Sequence, residues 1–194
     1  MTDIFKDRER GFEADYFRKQ DAKLLAKLRE RAVLSEVAEA LAEKLKVENA
    51  ELLRHIAELG ITRETGTAVL IAPLVQVAWA EGQVSEAERS MVLSLAEGRG
   101  IAPGSPAYTQ LEAWLKVRPS DELFATALEA MKDGLSVLPA AERDERIQYI
   151  VEAAHRVAEA SGGGLLKLLG LATGVSHNET VVLDAIAQKL RAGK

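Results

Sequence analysis

The chain has 194 residues, 47% of them hydrophobic and 28% charged, with a formal net charge of −5 and no cysteine. That length buries one sizeable core with room for a smaller appendage, and the apolar share excludes a largely disordered chain. The acidic balance argues against a general affinity for nucleic acid, while the missing cysteines exclude disulfides, thiolate zinc sites and cysteine nucleophiles.

The first ten residues are charged throughout and hold no signal-peptide apolar core, so a cytoplasmic protein is expected. Over residues 3–31, Phe5, Phe12, Tyr16, Phe17, Leu24, Leu25 and Leu28 recur at helical spacings and lay one apolar stripe along a helix. Nine Lys or Arg and seven Asp or Glu cover its other faces. A polar helix with so narrow a seam gains little from burial on its own. It must dock on the body, pair with another copy or lay its seam on a partner. Phe12, Tyr16, Phe17, Leu24 and Leu28 are therefore candidate partner-binding residues.

Ser35 is placed to cap a helix ending near Leu45. Asn49 caps another that ends at Leu59, with Gly60 supplying the left-handed stop. Together with the arm these form a first unit, residues 1–60, ahead of a helical body over residues 61–194. The body opens on an apolar helix to about Ala80, bent or restarted at Pro73. Its apolar run, residues 68–80, is shorter than the ~20 residues that span a bilayer.

Ser85-Glu-Ala-Glu88 then matches a capping box, in which serine and glutamate satisfy each other's backbone amides. The Gly/Pro-rich stretch 97–106 reads as a loop. Pro106 opens a helix carrying Leu111, Trp114 and Leu115. Ser120 opens the next, expected to end at Asp133-Gly134. Pro139 opens a long helix to about Ala160 with Ile147, Ile150, Val151, Ala154 and Val157 inward. Ser176 with Glu179 forms a second capping box, starting a helix to Leu190. No stretch alternates at period two, so the fold class is all-α.

Two stretches echo each other. Val157-Ala-Glu-Ala-Ser-Gly162 follows Val77-Ala-Trp-Ala-Glu-Gly82, and the segment from Val175 to Ala187 follows that from Val84 to Ala96. With Ala78-Trp-Ala-Glu-Gly-Gln-Val-Ser-Glu-Ala-Glu-Arg89, these features resemble the TerB-like, tellurite-resistance family over residues 62–191. The resemblance implies a bundle of two pseudo-repeated helical hairpins, a role in bacterial stress-response assemblies and divalent-cation binding by acidic residues. The Asp that the family places before the turn glycine is Glu81 in the first hairpin and Ser161 in the second, which removes a ligand from such a site. The arm has a second, shorter likeness: Arg8-Glu9, Glu13-Ala-Asp-Tyr-Phe17 and Leu25-Ala-Lys-Leu28 are similar to helical inhibitors of the F-type ATP synthase. That likeness implies insertion of the arm into a partner's groove.

Candidate chemistry is sparse. Glu81, Glu86 and Glu88 group oxygen donors for a divalent cation near the first turn. The capping box and the helix dipole account for Glu88 and Glu86 without a metal. His55, His155 and His177 form no metal-binding pair, His155 being expected packed or at a boundary and His177 exposed. No nucleophile motif is present, and the glycine run at 162–164 lacks the lysine and strand of a phosphate loop. Leu165, Leu166, Leu168, Leu169 and Leu171 form an apolar insert. It is expected to fold onto the core, or else to present Leu166 and Leu169 to a membrane surface or a partner. The expected function is a non-catalytic interaction or adaptor module, with no cofactor. ATP synthase inhibition by the arm is the alternative, and a metal-binding protein or metal-dependent enzyme a third.

Overall fold

The computed structural model describes the backbone over residues 2–161 and 175–192, and side chains over residues 18–29, 31–160 and 175–192. Among the described residues the chain is helical with no strand. The elements are α1 (Thr2–Leu45), α2 (Ala50–Glu58), a 3-10 segment (Gly66–Ile71), α3 (Ala72–Ala78), α4 (Glu86–Glu97), α5 (Pro106–Lys116), α6 (Asp121–Ser136), α7 (Ala140–Ser161) and α8 (His177–Arg191).

α3 is the axis of the bundle. It packs against α4, α5, α6, α7 and α8, and Leu74, Val75, Val77 and Ala78 are buried on all sides. Burying each of the larger of these side chains contributes roughly 1.5–3 kcal/mol. Pro73 stands in the first turn of α3, where its missing N–H has no partner to lose, and the 3-10 segment delivers the chain to it. α7 meets the axis through Ala153, Ala154, Val157 and Ala158, small side chains that let helix backbones approach. The Trp79 indole donates to the Trp114 carbonyl at 2.8 Å and ties the end of α3 to α5. One continuous core runs from Ala38 to Leu190.

Local capping follows the sequence closely. Asn49 accepts from the Glu51 and Leu52 amides, both at 3.1 Å. Ser105 and Ser120 each accept from the amide three residues on, at 3.2 Å. Gly60 takes φ of 84°, the left-handed stop after α2.

Three boundaries differ from expectation. The apolar helix of the body does not start at Ile61: the Thr62 amide donates to the Thr65 hydroxyl at 2.9 Å in a turn, and a 3-10 segment precedes α3. Ser35 caps nothing, because α1 is one unbroken helix of 44 residues. Its third residue on is Ala38, which carries no carboxylate to complete a capping box, and no proline or glycine interrupts residues 12–45. Helix propagation therefore wins over a new start. Gly134 does not end α6, which continues to Ser136. A Cβ at Gly134 would lie 2.9 Å from the Leu45 carbonyl oxygen, so the glycine is there for close approach to the end of α1.

Candidate functional site

The feature that sets this chain apart from a closed bundle is the amino-terminal part of α1. From Ala38 onward the helix is anchored: Ala38, Leu41 and Leu45 are buried against α2 and the 3-10 segment. Every described side chain from residue 18 to residue 33 is exposed. Leu24, Leu25, Leu28 and Val33 are each more than half exposed. At 1.5 Å per residue, residues 2–33 extend about 48 Å as a continuation of the anchored segment. Of the candidate partner-binding residues, Leu24 and Leu28 thus stand on a helix clear of the body. The side chains of Phe12, Tyr16 and Phe17 lie outside the described residues, as does the insert with Leu166 and Leu169.

A second feature lies where α4 and α8 begin. The Glu88 carboxylate accepts from the Ser85 amide at 2.7 Å while the Ser85 hydroxyl accepts from the Glu88 amide at 3.2 Å. The box at Ser176 and Glu179 has the same geometry, at 2.6 and 3.2 Å. Both glutamates are core residues, Glu88 being 3% and Glu179 1% exposed. Burial pushes the Glu88 carboxyl above the usual carboxylate range. The hydrogen bonds with Ser85 oppose that rise, and repulsion from Glu179 and Glu81 adds to it.

That Glu179 acts electrostatically on Glu88 is not legible in the sequence, because the shared Ser-x-x-Glu pattern is local to each helix start. Glu81 and Glu86, the other candidate cation ligands, are exposed. Among the described residues no three carboxylate or imidazole groups gather as a metal shell.

The histidines are scattered. His55 reaches Glu122 at 3.2 Å and Glu58 at 3.6 Å. His155 is exposed and not packed, because it falls between the inward pairs Ala153-Ala154 and Val157-Ala158 of α7. His177 is exposed in the first turn of α8.

The described surface also carries depressions. An open polar cleft of about 500 Å³ lies between α2, α6, α7 and α8, lined by His55, Lys132, Asp133, Arg143, Asp144 and Arg191. A wider trough runs between the ends of α1 and α6 and one side of α7, over Leu45, Leu70, Met131, Leu135, Leu138 and Ile150. Arg99 closes one end of it, donating to the Leu70 carbonyl at 3.3 Å and lying 5.1 Å from the centre of the Tyr149 ring. Ser136 also lines the polar cleft, its hydroxyl donating to the Asp133 carbonyl at 2.7 Å.

The fold and these features define an all-helical bundle that carries a long projecting helix. Compared with protein-family models, with curated proteins and with solved structures, the chain matches none. Among the described residues no helix is long and apolar enough to cross a membrane.

Proposed function

We propose that the chain is a non-catalytic helical adaptor, with the projecting part of α1 as its recognition element and the bundle as its platform. One observation carries the reading. A single helix is anchored by Ala38, Leu41 and Leu45 and then presents Leu24, Leu25 and Leu28 to solvent. Exposed leucines on a rigid helix cost solubility and return no stability to the bundle, so their use lies in contact with another surface. Bacterial stress response is the setting that the TerB-like resemblance suggests.

The test compares the full chain with the triple variant Leu24→Ser, Leu25→Ser, Leu28→Ser as bait in native lysate, with the melting temperature of each recorded. The reading expects equal folding of the bundle and loss of specific partners from the variant. Identical partners on both baits refute it. The continuous free helix also favours ATP synthase inhibition as a second reading. Purified F-type ATPase, assayed with the full chain and with a chain lacking residues 2–33, decides that point: inhibition by the full chain alone supports it, and no inhibition by either removes it.

A further inference from the structure

The arm of α1 is electrically divided along its length. Residues 2–17 hold three Lys or Arg against five Asp or Glu, whereas residues 18–31 hold six against two. A parallel pair of such helices sets like charge beside like. An antiparallel pair sets the acidic half of each against the basic half of the other.

We propose that α1 pairs antiparallel with α1 of a second copy, about a two-fold axis at residue 18. The proposal rests on the reading of α1 as a recognition arm and names its occupant. With the axis there, residues whose numbers sum to about 36 stand at equal height, since both helices rise by the same step. Lys6 comes level with Glu30, Asp7 with Arg29, Glu9 with Lys27 and Glu13 with Lys23, while Phe12 comes level with Leu24. Asp15 against Asp21, and Arg18 against its own copy, run the other way.

The geometry of the anchored end accommodates that axis. Among the described side chains of α1, exposure continues through Val33, and Leu34 is the first to be partly buried. Two arms centred on residue 18 overlap over residues 3–33, about 46 Å, before either meets the other's bundle. Leu24, Leu25 and Leu28 fall within that overlap. The interface is isologous and closes on itself, so it yields a dimer and not a filament. The two bundles stand at opposite ends of the paired arms.

Sedimentation equilibrium of the full chain is expected to show a reversible dimer of about 42 kDa, twice the 21.0 kDa chain. It is expected to weaken in 1 M salt, where the screening length is ~3 Å. The triple variant Lys23→Glu, Lys27→Glu, Arg29→Glu is expected to be monomeric. Adding Asp7→Lys, Glu9→Lys and Glu13→Lys to the same chain is expected to restore the dimer, which a general loss of charge or of folding does not explain.

Because the chain has no cysteine, a single cysteine at Ala22 or Ala32 takes a spin label at one site. Antiparallel pairing offsets the two labels along the axis by ~12 Å at residue 22 and ~42 Å at residue 32. Equal separations at both sites, a dimer that survives deletion of residues 2–33, or a monomer at ~100 µM each overturns the proposal. A monomer whose arm still retains another protein overturns the pairing and leaves the adaptor reading standing. A dimer whose arm retains nothing else does the reverse.

Discussion

Leu28 and Leu41 lie on the same helix, about 20 Å apart along its axis, and the same substitution at each separates the arm from the anchor. Leu41 is 0% exposed, and its Cδ2 lies 2.3 Å from where a Cβ on Gly66 would stand. The 3-10 segment is thus seated directly on it. Leu41→Ala removes that contact and leaves a void that the two backbones cannot readily collapse, a change that costs about 3–5 kcal/mol. For a chain of this size the melting temperature then falls by about 6–20 °C.

Leu28 is 51% exposed. Leu28→Ala removes little buried surface and introduces the best helix former, so its effect stays within about 0.5 kcal/mol. The assay is urea unfolding followed by helical circular dichroism, at a protein concentration low enough that the arms are unpaired. A loss above about 1.5 kcal/mol for Leu28→Ala means that the arm packs on its own bundle, and refutes the reading of α1 as a free element. A negligible loss for Leu41→Ala refutes the anchor.

Glu88→Gln keeps an oxygen to accept from the Ser85 amide but removes the buried charge. Because the folded carboxyl is raised above its unfolded value, the ionised group opposes folding at neutral pH, and that opposition fades as pH falls through the folded value. The stability of the variant relative to the native chain is expected to be greatest near pH 7 and to shrink toward about pH 4, measured by urea unfolding at each pH. A difference that grows on acidification contradicts the assignment. Gly134→Ala is expected to cost about 1–3 kcal/mol through its contact with the Leu45 carbonyl. Gly98→Ala, with φ of −60° and nothing nearer than 3.6 Å, is expected to gain about 0.4–1 kcal/mol. Thermal melts of the two glycine variants check both. Trp79→Phe keeps most of the ring but loses the bond to the Trp114 carbonyl, for an expected cost of about 1–3 kcal/mol by denaturant titration.

Much of the fold was legible in the sequence because the signals that mark helix ends act over three or four residues. Ser85 with Glu88, Ser176 with Glu179, Asn49, Ser120 and Gly60 each carry their partner within reach, and each stands where its local pattern put it. The all-helical class followed from the same short-range periodicity. Ser35 and Gly134 went otherwise because their roles depend on what lies outside that reach. Ser35 has no glutamate at the third position to favour a break, and Gly134 answers to a carbonyl on a different helix.

The candidate sites divide in the same way. The sequence by itself determined that residues 3–31 form an apolar-striped helix and that two serine–glutamate boxes open two later helices. It left the stripe three possible fates, and it marked the two boxes as echoes of each other without placing them in space. Only the tertiary structure decided that the described part of the stripe stands clear of the bundle, and that Glu88 and Glu179 are buried within electrostatic reach of each other. Periodicity fixes which face of a helix is apolar, because that depends on the 3.6-residue repeat alone. Whether the face is covered, and which buried charges influence each other, depends on residues far apart in the chain, and a local pattern carries no record of those.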